Sequence, residues 1–345
     1  MAGAAAALAV VLAPVPSGAR AQVPVFELDE VIVPGKRPQV RGTSPASVSV
    51  ITAAEMERLG ARTVGDALAH LPEVTVLSYG SYGALNTLSI RGAGATQVLV
   101  LLDGMPVTGL LTGTVDLRTL PVEGVERIEV LRGPFSALHG SGALGGVVNI
   151  VSRTRVAPRL SGSYGSFDTA GAAVHYGTTD AAQRRGAGII GRLDRSSGAR
   201  PNSGLDSRHA ALRLFDGALA LRLRAYTAQV GVPGDAVCPT PSARQDDDRT
   251  ILDLTWRPPD GRRSFTLYWR DERTAYTDPA GSTCFAFPST SRTTGGVLGL
   301  QWQSLLAQRG GHVVVGGVEA EALRLTSTLS GVGERTATTG AIYLA

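Results

Sequence analysis

Residues 140–145 form the segment whose residue types and spacing come closest to a known chemical motif. They read Gly-Ser-Gly-Ala-Leu-Gly and match G-x-G-x-x-G, which in dinucleotide-binding proteins follows a strand and opens a helix that holds the pyrophosphate. Here the next residues, 146–151, are Gly-Val-Val-Asn-Ile-Val, mostly strand formers. Because no helix start is present, we reject the cofactor interpretation and assign the glycines to a tight turn with close backbone packing.

Ser136 and His139 are a second pair that could do chemistry, namely nucleophilic catalysis. Such a pair needs a third residue that orients the histidine, and no residue nearby indicates one. The chain has two cysteines and five scattered histidines, which do not form a Cys/His metal cluster in the sequence. The sequence therefore predicts no enzyme.

The amino-terminal segment predicts export. Residues 2–13 are small and apolar, and Ala19-Arg20-Ala21 fits an A-x-A cleavage site, so a signal peptide is predicted over residues 1–21. The departure from the pattern is that no lysine or arginine follows Met1. No later stretch has about 18 consecutive apolar residues. The net charge of +4 is too small to indicate nucleic-acid binding.

Two further units follow, a short segment at residues 22–43 and a compact domain at residues 44–153. The short segment holds one extended apolar stretch that ends at Pro34-Gly35. In the domain, Thr52 to Glu55 is a capping box, and Thr63 begins a second helix that Pro72 is expected to stop. Strands are predicted at residues 48–50, 87–91, 97–102, 127–132 and 146–151. The mixture predicts an α+β domain.

From about residue 158 the sequence alternates apolar and polar residues with period 2. Leu219, Leu221 and Leu223, for example, alternate with small or charged residues. This pattern suits a lipid-facing barrel strand, although a soluble β-sandwich produces it too. We predict about ten such strands, whose links alternate between short and long, as in outer-membrane barrels. Residues 158–345 are therefore predicted to be part of a transmembrane β-barrel.

Cys238 and Cys284 both fall in long links, and so on the same side of the predicted barrel. A lone pair of cysteines outside the cell usually oxidises, so a disulfide is predicted, with two free thiols as the alternative.

Four blocks in the compact domain resemble the plug domain of TonB-dependent outer-membrane receptors. They are residues 88–92 (LSIRG), 98–104 (VLVLLDG), 125–134 (VERIEVLRGP) and 140–150. Within that family the chain is most similar to the vitamin B12 receptor branch. The resemblance implies a 22-stranded barrel with the plug inside. Ten strands cannot enclose a plug of about 110 residues, so a partial barrel is expected.

The resemblance also implies particular partners and site residues. A TonB box, bound by the periplasmic energy-coupling protein TonB, would consist of Leu28, Asp29, Glu30, Val31, Ile32 and Val33. Ligand would bind to two plug apices through Ser78, Tyr79, Ser81, Tyr82, Asn86, Leu110, Thr112 and Thr114. Arg91, Glu129 and Arg132 are expected as plug–barrel contacts, because an enclosed guanidinium needs a carboxylate partner.

The two apices contain aromatic rings, glycines and hydroxyls but no charge. An anionic ferric siderophore would be expected to meet arginine or lysine, whereas a corrinoid is large, amphipathic and nearly neutral overall. A cobalamin-like ligand is therefore favoured, with a ferric siderophore as the alternative. Arg195, Arg200 and Arg244 in the long links support that alternative.

Asp246, Asp247 and Asp248 are three adjacent carboxylates at the end of a long link. A solvated loop end is the simplest interpretation. Because vitamin B12 receptors order outer loops with calcium, the resemblance also implies a calcium site made by these residues and Asp235. No other cofactor is expected.

Two other functions compete with transport. A signal transducer of the same family carries an extra domain before the box, and only a few residues separate the predicted cleavage site from Phe26. A secreted β-rich binding or adhesion protein would need neither the box nor the plug motifs. The sequence therefore predicts an active-transport receptor in the outer membrane, in contact with its lipid.

Overall fold

A computed structural model describes residues 31–32, 39–40, 47–80, 82–182, 184–309, 312–329 and 333–344. Near the amino terminus, strand β1 (Val31–Ile32) pairs antiparallel with β2 (Gln39–Val40), and Val31 lies opposite Val40. Val31 and Ile32, the two described residues of the predicted box, therefore have the extended backbone that β-branched residues favour.

Residues 47–152, called the plug below, combine a sheet, a hairpin and short helices. The strands in its described residues are β3 (Ser47–Thr52), β4 (Val74–Ser78), β5 (Asn86–Ile90), β6 (Val98–Leu102), β7 (Met105–Pro106), β8 (Val125–Arg132) and β9 (Gly146–Ser152). The α-helices are α1 (Ala53–Arg58), α2 (Val64–Leu68) and α3 (Ser136–His139). Short 3-10 helices lie at Ala95–Gln97, Leu117–Thr119 and Ser141–Ala143.

The plug core lies on a five-stranded sheet with the order β3-β8-β9-β6-β7. The pair β6 and β9 is parallel, and all five residues of β6 are buried because both faces of that strand are covered. Ile51, Leu68, Ile90, Leu117 and Ile128 pack together as the centre of the core. As predicted, the residues that follow the glycine-rich motif enter a strand, β9.

Capping boxes start both of the first two helices. The Thr52 hydroxyl accepts a hydrogen bond from the Glu55 N–H (3.3 Å), and the Glu55 carboxylate accepts one from the Thr52 N–H (2.7 Å). Thr63 and Asp66 repeat the arrangement at α2. This helix ends at Leu68, four residues before the stop predicted at Pro72. Strand β4 was not predicted from the sequence. No helix in the described residues is long and apolar enough to cross a bilayer.

The rest of the described chain is a ten-stranded antiparallel sheet in which each strand pairs with the next. Its strands are β10 (Arg159–Gly165), β11 (Thr169–Thr179), β12 (Arg185–Ser196), β13 (Leu205–Asp216), β14 (Leu219–Gly231), β15 (Arg244–Trp256), β16 (Arg263–Asp278), β17 (Ser289–Arg309), β18 (His312–Ser327) and β19 (Gly333–Leu344). Short links join the strands at one end, the short-link end, and mostly longer ones at the other, the long-link end. The predicted strand number and link alternation agree with this arrangement.

The two faces of the sheet differ in polarity, as the period-2 pattern predicted. One face contacts the plug, and the opposite face exposes a band of apolar side chains that includes Leu223, Leu252 and Leu298. At the short-link end of this band, Trp256 pairs with Phe265, which pairs with Trp302. Strand pairing thus gathers three aromatic residues into one row at this level.

Candidate functional site

The first predicted apex is the tip of the β4–β5 hairpin. Ser78 ends β4 and Asn86 begins β5, while Tyr79 lies at the tip with 66% of its surface exposed. Tyr82 instead packs against Leu205 of the sheet. Ser81 lies outside the described residues. The hairpin therefore leaves Tyr79 exposed at its tip and places Tyr82 in contact with the sheet.

The second predicted apex is the loop at residues 109–114. The hydroxyls of Thr112 and Thr114 lie 3.0 Å apart and share a hydrogen bond. Leu110 packs in a small cluster with Tyr268 and Val297 of the sheet. The two threonines thus bond to each other in the loop, whereas Leu110 contributes to plug–sheet packing.

A buried charged cluster connects the first apex to strand β15. Arg118 forms ion pairs with Asp116 in the plug and with Asp247 in β15, and it donates to the Gly83 carbonyl at 3.0 Å. Asp116 also accepts a hydrogen bond from the Asn86 N–H at 3.3 Å. Burial lowers the pKa of Arg118, but the two carboxylates raise it by more, so the net pKa lies above its ordinary value.

A second buried cluster joins the turn after β6 to strands β14 and β15. Asp103 forms ion pairs with Arg224 and with Arg222 (3.3 Å), and both arginines also pair with Asp253, at 3.0 and 2.6 Å. Ser152 donates two hydrogen bonds of 2.8 Å to Asp103. Burial raises the pKa of Asp103, but the two guanidiniums and Ser152 lower it well below its ordinary value.

A third cluster lies on strand β12, where Arg192 pairs with Glu123 of the plug and with Asp194 at 2.6 Å. The three clusters are buried ionic contacts between the plug and the sheet, and none of them was predicted from the sequence. A signal was present for one of them, since Arg222 and Arg224 occupy the polar face of a strand whose other face is leucine. Such a face needs carboxylates once another domain covers it.

The contacts predicted at Arg91, Glu129 and Arg132 are corrected by the structure, because all three residues bind within the plug. Arg91 pairs with Glu73 at 2.9 Å, and Arg132 lies 3.5 Å from the same carboxylate. Glu129 is fully buried and accepts a hydrogen bond from Asn149 at 2.9 Å. The prediction that the arginines need a carboxylate is correct, but the plug supplies it itself.

The predicted calcium ligands are not brought together. Strand β15 begins at Arg244, so Asp246, Asp247 and Asp248 lie in a strand and not in a loop, which corrects their placement. Alternation directs Asp247 towards the plug and its two neighbours to the opposite face. Asp235 accepts hydrogen bonds from nearby backbone N–H groups. In the described part of the chain, no three His, Cys, Asp or Glu side chains are grouped to hold a metal.

The predicted disulfide between Cys238 and Cys284 is present, with the two Cα atoms 5.2 Å apart. It joins the link at residues 232–243 to the link at residues 279–288, both at the long-link end of the sheet. The two cysteines therefore lie on the same side, as the alternation of links predicted.

The disulfide should add stability without being essential to the fold. Because the bond closes a segment of 46 residues, Cys238→Ser should lower the free energy of unfolding by at most roughly 4 kcal/mol. Cys284→Ser alone and the double variant should lose the same amount, since one bond is lost in each. Mass spectrometry of unreduced peptides from outer-membrane material tests the bond directly, and two free thiols would refute it.

Comparison with known proteins identifies the domain. Residues 41–147 match the family model of the TonB-dependent Receptor Plug Domain. The Vitamin B12 transporter BtuB of Vibrio vulnificus (strain YJ016) is 41% identical over 123 residues, which are 35% of this chain and 20% of that protein. The matched part thus spans only a fifth of that relative's length.

Solved structures show the same fold at low identity. The siderophore receptor PiuA from Acinetobacter baumannii superposes with a TM-score of 0.63 at 18% identity, covering 86% of this chain and 48% of that chain. The ferric yersiniabactin uptake receptor FyuA from Yersinia pestis superposes with a TM-score of 0.57 at 20% identity, covering 87% of this chain and 52% of that chain. The ferripyoverdine receptor of the outer membrane of Pseudomonas aeruginosa superposes with a TM-score of 0.61 at 17% identity, covering 87% of this chain and 43% of that chain.

Residues 41–147 are thus a TonB-dependent receptor plug domain, and the ten-stranded sheet has the fold of part of the barrel of such receptors. The resemblance to the plug domain and the fold class predicted from the sequence are confirmed.

Proposed function

We propose that this chain is the plug-bearing part of a TonB-dependent active transporter that takes up a scarce, large nutrient. The observation that carries the proposal is the plug itself, held by buried ion pairs against the polar face of a sheet whose opposite face is apolar. The outer-membrane localisation follows from the plug family. The relatives named above are transporters and receptors.

The plug–sheet contacts suit a plug that moves while it stays folded. The plug has its own apolar core, and its contacts with the sheet include several buried ion pairs. Ion pairs exchange for water more readily than an apolar core does, so mechanical work could separate the two parts without unfolding either core. In this proposal, TonB supplies that work by adding a strand to the box at residues 28–33. Only Val31 and Ile32 of the box lie in the described residues.

For the ligand we propose a cobalamin-like molecule. The exposed apical groups, Tyr79, Thr112 and Thr114, carry no charge and suit a large amphipathic ligand. The relative in the curated comparison is a vitamin B12 transporter. One observation favours a ferric siderophore instead: the Arg62 guanidinium lies 5.1 Å from the centre of the Tyr82 ring and brings a positive charge beside the first apex.

Tyr79→Ala tests the ligand proposal in the full-length receptor. Loss of an exposed aromatic contact at the centre of the site should weaken cyanocobalamin binding by about 2 kcal/mol, or roughly 30-fold. Tyr164→Ala is the matched control, because Tyr164 is 75% exposed but lies on β10, away from both apices. Binding is measured by titration of the purified receptor.

Uptake of labelled cyanocobalamin by cells with and without TonB tests the transport proposal. If the receptor binds ferric siderophore tightly and no cobalamin, the ligand assignment is wrong and the transporter assignment stands. If neither ligand is taken up in a TonB-dependent way, the transport proposal is wrong.

A further inference from the structure

Three contiguous cavities separate the plug from the sheet. An apical cavity beneath the first apex is lined by Tyr82 and Asn86, and it shares Tyr226 and His209 of the sheet with a central cavity. The central cavity shares Arg153 and residues 123–125 with a lower cavity under helix α1. The lower cavity lies beside the start of β10, at the short-link end. The cavities therefore connect the apices with the opposite end of the sheet.

The central cavity is lined by three arginines that the ionic clusters leave without a full partner. They are Arg213 of β13, Arg249 of β15 and Arg270 of β16. Arg213 and Arg270 donate to plug carbonyls, at Ser152 (3.4 Å) and Thr108 (3.1 Å), and neither has a carboxylate within 4.0 Å among the described residues. The Nε atom of each arginine is buried with no hydrogen-bond partner in the described structure.

These arginines contrast with the others between the plug and the sheet. Arg118, Arg192, Arg222 and Arg224 each have carboxylate partners within 3.3 Å. Arg270 is only 8% exposed, and the nearest carboxylate to Arg249, that of Glu272, lies 3.8 Å away. A buried guanidinium without a counter-ion costs several kcal/mol. Partly unpaired charges at one cavity are therefore best explained by an anion that completes them.

Part of the remaining wall of the central cavity is apolar and includes Leu102, Ile150 and Ile251. Glu123, Asp271 and Glu272 also line this cavity, and Glu123 is already paired with Arg192. An apolar wall with a few converging donors fits a molecule that has a bulky apolar body and an oxyanion group. Arginine suits such a group because its planar fork binds phosphate and carboxylate oxygens in pairs.

We propose that Arg213, Arg249 and Arg270 form an internal relay site for an oxyanion group of the transported molecule, reached after the apices and before the short-link end. This inference rests on the proposed transport function and narrows its substrate class to molecules that carry an exposed phosphodiester, carboxylate or catecholate. A corrinoid supplies the first of these groups and ferric siderophores supply the others.

The site can be tested without transport by titrating citrate into the purified full-length receptor and following its melting temperature. A ligand that binds the folded state raises that temperature in a saturable way. The double variant Arg249→Gln/Arg270→Gln should need at least about tenfold more citrate, a factor equal to about 1.4 kcal/mol. The charge-retaining variant Arg249→Lys/Arg270→Lys should have a citrate midpoint between those of the wild type and the glutamine variant, because lysine keeps the charge but lacks the planar fork. Arg273→Gln is the matched control, because Arg273 lies on strand β16 with Arg270 but is exposed and faces away from the plug.

The absence of a saturable effect in the wild type would overturn the proposal, whether or not the variants fold. An unchanged citrate midpoint in the double glutamine variant would also overturn it.

Uptake then distinguishes the sources of the oxyanion. The two probes are labelled cyanocobalamin and ferric citrate. The double glutamine variant should bind the probe that the wild type transports with normal affinity at the apices. It should take up that probe at least about tenfold more slowly, which corresponds to an activation barrier higher by about 1.4 kcal/mol. Slower uptake of cyanocobalamin would identify a phosphodiester as the group that binds the site, and slower uptake of ferric citrate would identify a carboxylate. Normal uptake in this variant would contradict a relay role. If the wild type transports neither probe, the transport proposal fails, while the citrate titration still decides whether an anion site exists.

Discussion

A full-length receptor that carries Val31→Pro should bind its ligand normally and transport none of it. Val31 and Ile32 have strand backbone, and an added strand owes most of its affinity to backbone hydrogen bonds. Proline removes the N–H donor at position 31 and restricts the backbone around it. The apices are far from this segment in sequence and keep their contacts, so the ligand should still bind.

The measurement compares ligand binding to whole cells with uptake of the same labelled ligand. Val31→Ala is the matched control, because it shortens the side chain but keeps the N–H group, and it should retain most of the uptake. Uptake by the proline variant should fall to the level of cells that lack TonB. Normal uptake by that variant would show that the segment is only a linker.

Asp103→Asn should cause the largest loss of stability among single changes at the plug–sheet contact. Asparagine has nearly the same shape, so packing is preserved while Arg222 and Arg224 keep only the Asp253 carboxylate. Removing one partner from a buried ionic network typically costs about 3–5 kcal/mol. Thermal or denaturant unfolding of the purified full-length receptor would measure the loss, together with protease sensitivity of the plug.

Asp206→Asn is the matched control, because Asp206 is exposed and its contact with Arg208, at 3.7 Å, is weak. A double-mutant cycle with Arg224→Gln separates the ion pair from general damage, since the two losses should be less than additive. Strict additivity would mean that Asp103 and Arg224 do not stabilise each other.

The pH dependence of this effect has a defined sign. The pKa of Asp103 is lowered in the folded protein, so its contribution is complete above the unfolded value of about 3.9 and is lost as the pH falls through the folded pKa. The difference in stability between the wild type and Asp103→Asn should therefore persist from pH 7 to about pH 4 and shrink only below that range. A difference that vanished between pH 7 and pH 5 would contradict the assigned pairing.

Local patterns in the sequence were enough to predict most of the secondary structure, the two faces of the sheet and the class of fold. Thr52 and Glu55 form a capping box because the partners lie three residues apart, within one helical turn. Leu219 and Leu223 face outwards because strand side chains alternate. The plug blocks, likewise, are continuous segments, and the pairing of Cys238 with Cys284 followed from the alternation of links along the chain.

Only the tertiary structure decided which charged residues meet. Arg118 and Asp247 are 129 residues apart, and Asp103 and Arg224 are 121 apart, so their pairing depends on how the plug sits against the sheet. The local pattern places Arg222 on the polar face of a strand, but it does not show that Arg222 binds the plug whereas Arg132 binds inside it. The start of β15 at Arg244 was missed for a related reason: pairing with β14 and β16 extends the strand through three adjacent aspartates that local propensity assigns to a loop. The local pattern determines which residues form a strand. Strand pairing and burial act between distant segments, and they determine which partners surround each charged side chain.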